Sequence, residues 1–202
     1  VNWELVIAAV VGYLFGCLPF ANLIARRHGV DDLRAVGDRN PGYWNARGRI
    51  GIRSSIPILL LDAAKAAAAV GVGMLLAGVE GGVVAWAAVV VGHMFPATMR
   101  FRGGRGVLCL AGGALVLVPL ACIPAAITLL LVRWRFDFAR GIQACLIVAP
   151  FAIWIIYGVG LELYATVGLL TFVGLRSGLA DHALKRAGID KNNPDAVQPD
   201  VE

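Results

Sequence analysis

Apolar residues fall in long unbroken blocks, not at the spacing of a single buried helix face: 3–25, 54–77, 81–99, 107–132, 141–157 and 161–175. A hydrocarbon layer takes about 20 apolar residues of helix per crossing, so these blocks read as membrane spans. Block 107–132 is ambiguous, because a helix of that length measures about 39 Å, long for one untilted span and short for two. Pro119 and Pro124 interrupt it, and proline inside a helix removes a hydrogen bond and crowds the preceding turn.

Charge placement decides, because Lys and Arg in short loops stay on the cytoplasmic side. With a short helix hairpin at 107–132, all of the 18 Lys and Arg except Lys65 fall on one side. They are Arg26, Arg27, Arg34, Arg39, Arg47, Arg49 and Arg53, then Arg100, Arg102 and Arg105, then Arg133, Arg135 and Arg140, then Arg176, Lys185, Arg186 and Lys191. The opposite turns, near Glu80, Pro119 and Glu162, carry none. The expected fold is an all-α integral membrane protein of about seven transmembrane helices, amino terminus outside and carboxyl terminus cytoplasmic.

Composition narrows the function classes. Of 202 residues, 59% are apolar and 15% charged, against roughly 45–50% apolar in a soluble domain. A soluble enzyme is excluded, and the polar stretches leave no room for a folded extramembrane domain. Residues 1–186 form a single polytopic domain, and 187–202 read as a disordered polar tail. Cys17, Cys109, Cys122 and Cys145 lie in apolar stretches without metal-ligand spacing. Cys17 is expected to stay uncleaved, since Val1-Asn2-Trp3-Glu4 lacks the basic residues of a signal peptide.

Any active site therefore lies at the membrane face. The first cytoplasmic segment carries Gly37, Asp38, Arg39, Asn40, Pro41, Gly42, Tyr43, Trp44, Asn45, Arg47 and Arg49. Its glycines free backbone N–H groups, and its arginines offer forks that fit phosphate or carboxylate. The same composition suits an interfacial loop anchored by Tyr43 and Trp44. The second segment is sharper: Gly92-His93-Met94-Phe95-Pro96, then Phe101-Arg102-Gly103-Gly104-Arg105-Gly106-Val107, opening into a span. A Gly-Gly-Arg-Gly loop at a helix start combines N–H donors, the positive end of the helix dipole and a guanidinium, and reads as an anion cradle. His93 lies near the end of an apolar span, where an ionisable side chain is either functional or satisfied by a carbonyl. Asp62 and Lys65 share one helical face and are expected to form a structural ion pair. Arg135 belongs to a third basic segment, 133–140, with aromatic anchors.

In this order, these segments resemble the bacterial acyl-phosphate:glycerol-3-phosphate acyltransferases, the PlsY family, from about Gly12 to about Arg176. The family pattern Gly-His-x-Phe/Tyr-Pro and Phe-Lys-Gly-Gly-Lys-Gly-Val-Ala-Thr is met with both lysines as Arg102 and Arg105, and Ala-Thr as Leu108-Cys109. Asp62 and Lys65 match its Asp-x-x-Lys. In the first loop Gly37, Asn40, Gly42 and Asn45 are kept; the family's serine is Asp38, its second glycine Arg39, its Ala-Thr Tyr43-Trp44, and its arginine falls on Gly48 between Arg47 and Arg49. In the third segment Arg135 and Phe136 persist while the serine position is Phe138, and a His and Asn after the last span fall on Ser177 and Ala180.

The resemblance implies a seven-span inner-membrane enzyme, active on its cytoplasmic face, that moves a fatty acyl group from acyl phosphate to glycerol 3-phosphate or a related hydroxyl acceptor in phospholipid synthesis. It implies no cofactor, no metal and no nucleic acid, the partners being the two substrates and the bilayer. Asp38 and His93 are the candidate catalytic residues, with Asp38 either a general base or a barrier to anionic acceptors. Gly37, Asn40, Gly42, Asn45, Arg47, Arg49, Arg102, Gly103, Gly104, Arg105, Gly106 and Arg135 are the candidate substrate-binding residues. The competing expectation is a family member without catalysis, serving as a lipid transporter or membrane scaffold.

Overall fold

A computed structural model of the chain describes residues 1–189. Among them the regular structure is helical: α1 (Trp3–Gly16), α2 (Phe20–Arg27), α3 (Tyr43–Met94), α4 (Val107–Leu117), α5 (Pro119–Arg135), α6 (Phe138–Tyr157) and α7 (Leu161–Arg186), with short turns of 3₁₀ helix at Leu33–Ala35 and Ala97–Met99. Four stretches are long and apolar enough to cross a membrane: Trp3–Arg27, Tyr43–Met99, Arg140–Tyr157 and Leu161–Arg186.

The backbone of α3 leaves helical geometry at Gly51 and again at Ala77 and Gly78. Sections 52–76 and 79–94 fold back on one another. Gly73 and Gly81 face each other so closely that a Cβ on either would strike the other's carbonyl. The reversal brings His93 Nδ1 to 3.8 Å from Asp62 Oδ1; a straight helix would hold these residues about 46 Å apart. Section 43–50, ahead of Gly51, packs Ala46 under α2 beside Ala21, Ala25 and Leu33.

Small residues set the helix spacing throughout, as expected where close backbone approach drives association in a lipid environment. Gly12 and Gly16 of α1 lie against the backbone at Ala85 and Val89, and Gly92 against Tyr13. Gly112 and Gly113 of α4 meet Ala63 and the Trp86 ring, while Trp86 Nε1 donates to Leu110 O at 3.1 Å. α5 and α6 run antiparallel, Gly141 near Leu129 at one end, and Leu120 N donating to Tyr157 Oη at 3.2 Å at the other. Ala77–Gly78, Val118 and Gly158 thus turn the chain at one end of the bundle, and the arginine-bearing loops gather at the other.

The structure sets three boundaries within these blocks. The apolar block 3–25 is two helices, because Pro19 offers no N–H and biases Leu18 away from helical geometry; α1 ends at Gly16, and α2 buries only Ala21, Asn22 and Ala25. The turn within 107–132 falls at Val118 (φ −136°), beside the expected Pro119, which opens α5, with Pro124 inside that helix. Ala187–Ile189 close α7: Gly188 (φ +68°) donates to Lys185 O and Ile189 to Leu184 O, as a left-handed glycine cap requires. Residues 190–202 lie outside the described residues.

Candidate active site

The first loop is a folded unit, tied down by two buried asparagines. Asn22 accepts from Leu33 N at 3.2 Å and donates to Asp32 Oδ1 at 3.1 Å. Asn45 Nδ2 reaches Leu33 O at 2.8 Å, Val36 O at 2.9 Å and Asn40 O at 3.1 Å. Its amide is occupied with holding the loop. Gly37 (φ +58°) is tight for the same reason, since a Cβ would strike Asn45 Oδ1, and Arg49 lies beside it. Gly42 caps α3. Arg34 pairs with Asp32 at 2.6 Å and donates to Met99 O at 2.8 Å, joining the first loop to the second. Hydrogen bonds from the Arg34 guanidinium lead in holding the Asp32 carboxyl down, to about 2.

The second loop contradicts the open cradle expected from Gly103 and Gly104. Gly103 N donates to Met94 O and Gly104 N to His93 O, both at 3.0 Å. A Cβ on Gly104 would meet His93 Nε2, and one on Gly103 would meet His93 O and Pro96. These glycines let the loop lie flat against the end of α3, so their N–H groups are spent inside the protein. Gly106 (φ +86°) caps α4, whose first turn has no side-chain cap.

Behind this glycine wall sits a buried polar trio. Lys65 Nζ lies 2.7 Å from Asp62 Oδ1, 3.1 Å from His93 Nδ1 and 3.0 Å from Leu18 O. The Asp62 and Lys65 side chains are each 2% exposed. The expected ion pair is present, with His93 as its third member. The space around it is about 10 Å³, room for about one water, and Asp62 Oδ2 has no hydrogen-bond partner among the described residues.

On the other side of the wall opens a groove of about 600 Å³. Asp38, Arg39 and Asn40 come to it from the first loop with Arg34, Arg102 to Arg105 from the second, and Arg176, Ala180, Ala183, Leu184 and Ala187 from α7. Arg105 is central: its Nη2 lies 2.9 Å from Asp181 Oδ1 and 3.4 Å from Asp38 Oδ2. Gly103 and Gly104 line both this groove and the small space around the trio.

Of the candidate residues, Asp38, Asn40, Arg102, Gly103, Gly104 and Arg105 meet in the groove, while Gly37, Gly42, Asn45 and Gly106 serve in the loop contacts and helix caps beside it. His93 is not among the groove's lining residues. Arg47 and Arg135 lie elsewhere, exposed and stacked on Trp44 and Phe136, each at 5.0 Å. Trp44 also stacks on Phe138 at 4.9 Å, joining the first segment to the third. Sequence reasoning missed Arg34, Arg176 and Asp181. Arg176, Ala180, Ala183, Leu184 and Ala187 recur at the spacing of one helical face, which becomes a groove wall because that face turns toward the second loop. Among the described residues no His, Cys, Asp and Glu cluster could hold a metal.

A family model described as Glycerol-3-phosphate acyltransferase matches residues 6–181. Glycerol-3-phosphate acyltransferase 1 of Rhizobium johnstonii is 34% identical over 163 residues, covering 77% of this chain and 78% of that one. The Sinorhizobium fredii glycerol-3-phosphate acyltransferase is 32% identical over 186 residues, covering 88% and 91%. Among solved structures, the glycerol 3-phosphate form of PlsY (YgiH), an integral membrane glycerol 3-phosphate acyltransferase, superposes with a TM-score of 0.81 at 21% identity, covering 92% of this chain and 94% of that one.

Proposed function

Since this chain belongs to the glycerol-3-phosphate acyltransferase family, we propose that it moves a fatty acyl group from an acyl phosphate to a hydroxyl of glycerol 3-phosphate in phospholipid synthesis. The observation that carries this reading is the groove of about 600 Å³ with Arg34, Arg39, Arg102, Arg105 and Arg176 on its walls. Both substrates are phosphate anions, and guanidinium forks suit them.

The reaction asks for two things. The acceptor hydroxyl must be held against the acyl carbon, and the charge growing on the departing phosphate must be neutralised. Arg105 and Arg102 serve the second need. Arg39, from the first loop, and Arg176, from α7, are suited to the phosphate of the acceptor. The hydroxyl oxygen attacks directly and no covalent enzyme intermediate is required. Asp38, 3.4 Å from the Arg105 guanidinium, holds Arg105 in place. His93, across the glycine wall, positions the second loop.

The same reading takes the chain through the bacterial inner membrane about seven times, the start of α1 outside and the end of α7 in the cytoplasm. The reversals at Ala77–Gly78, Val118 and Gly158 and the gathering of arginine-bearing loops at the other end support it. Purified protein incubated with acyl phosphate and glycerol 3-phosphate should yield lysophosphatidic acid, read by lipid mass spectrometry, and acyl-CoA should not replace the donor. Absence of product from acyl phosphate, with the protein folded, refutes the proposal.

A further inference from the structure

Three separate stretches of chain meet at one nitrogen. Asp38 reaches Arg105 from the loop ahead of α3 and Asp181 from α7, both at Nη2, at 3.4 Å and 2.9 Å. Arg105 Nε and Nη2 are buried and make no aligned hydrogen bond among the described residues. The two contacts are thus charge attraction without the parallel fork that makes an arginine–carboxylate pair strong. A phosphate can do better, because it carries more charge and has oxygens enough to take Nε and Nη2 together.

The geometry points to Asp38 and Asp181 as residues that eject phosphate from Arg105. This rests on the acyl-phosphate reading. In that reaction the acceptor oxygen bonds to the acyl carbon, the acyl carbon–oxygen bond to phosphate breaks, and its electron pair leaves with the phosphate. The hydroxyl proton passes to that phosphate or to water. Inorganic phosphate is therefore produced among Arg39, Arg102, Arg105 and Arg176, a setting that retains it. Tethered carboxylates act at high effective concentration, so Arg105 has a replacement partner at hand whenever phosphate lets go. Both are positioning residues, since they act through Arg105. The same competition weakens ground-state binding of phosphate groups, and an interaction equally strong before and during reaction does not raise turnover.

The test is calorimetric titration of the full chain in detergent with inorganic phosphate. Asp181→Asn and Asp38→Asn should each bind phosphate about tenfold more tightly, the scale expected for removing one adjacent like charge. Asp181→Glu should keep the wild-type affinity, and Arg105→Gln should lose the gain in combination with Asp181→Asn. In turnover, phosphate should become a stronger product inhibitor of both asparagine variants as kcat falls. A damaged fold weakens binding, so a gain of affinity cannot come from disruption. Equal or weaker phosphate binding in both asparagine variants, with unchanged melting temperature, overturns the inference. Because titration uses no donor, a wild type unable to transfer acyl groups refutes the enzymatic reading alone. Transfer with unaltered phosphate affinity in the variants refutes the release role alone.

Discussion

Lys65 and His93 stand 28 positions apart in sequence and 3.1 Å apart in space. That proximity exists only because α3 reverses at Ala77–Gly78, so the trio with Asp62 reports on the hairpin as well as on its own charges. Lys65→Met leaves Asp62 buried without its cation and should destabilise the protein by about 3–5 kcal/mol. Adding Asp62→Asn should recover most of the loss. Thermal unfolding of the two single variants and the double variant in detergent checks this, and additive losses would show that the pair is not coupled.

Arg39 sits at φ +54°, a left-handed conformation that costs a side-chain-bearing residue about 1–2 kcal/mol. Arg39→Gly should therefore raise the melting temperature by a few degrees while raising KM for glycerol 3-phosphate. Arg39→Ala removes the same charge and keeps the strained backbone, so it should raise KM without stabilising.

A Cβ on Gly104 would press into the His93 ring, whereas one on Gly71 meets open space. Gly104→Ala should lose most acyl transfer and melt earlier, by an amount typical of overpacking, about 1–3 kcal/mol. Gly71→Ala should be neutral in both assays. Equal behaviour of the two variants would remove the packing role given to the glycine wall.

Asp32 has its carboxyl lowered from 3.8 to about 2 by Arg34. A group depressed on folding stabilises above its ordinary range and loses that contribution as pH falls through the folded value. The Leu33–Ala35 turn should thus loosen between pH 3.8 and about 2. Pepsin cleavage beside Leu33 should rise across that window in the wild type. Asp32→Asn should be cleaved readily throughout.

For the proposed topology, cysteine probes at exposed sites decide. In a background with the native cysteines replaced by alanine, an impermeant thiol reagent added outside intact cells should label Val159→Cys. Arg102→Cys should react only after permeabilisation. The reverse pattern rejects the orientation.

The helices were legible because lipid-facing and core-facing positions are both apolar here, which makes blocks easy to find and their interruptions easy to miss. Pro19 was the sole mark of the break between α1 and α2, and Gly51 lay between Ile50 and Ile52, where residue type gives no sign of a break. Asp38, Arg102 and Arg105 could be read as site residues because they cluster in loops rich in glycine. Arg176 and Asp181 could not, since their meaning depends on which face of α7 turns toward the second loop. The placement of His93 depends on Gly103 N and Gly104 N folding back onto Met94 O and His93 O. That is a pairing between backbone groups, which carry no signature in residue type.

α4 has 11 residues, a length of about 16 Å in a layer whose hydrocarbon is about 30 Å thick. Its two ends cannot both reach the plane of the headgroups. On the proposed topology, the groove end of α4 or its opposite end lies below the surrounding lipid surface, or the bilayer thins to meet both. An acyl phosphate can then keep its chain in the oily interior and move sideways into the groove. In the proposed reaction with a sunken groove, the water-soluble acceptor would make the vertical journey instead, down the arginine-lined groove, and the costly extraction of a fatty chain into water would be avoided.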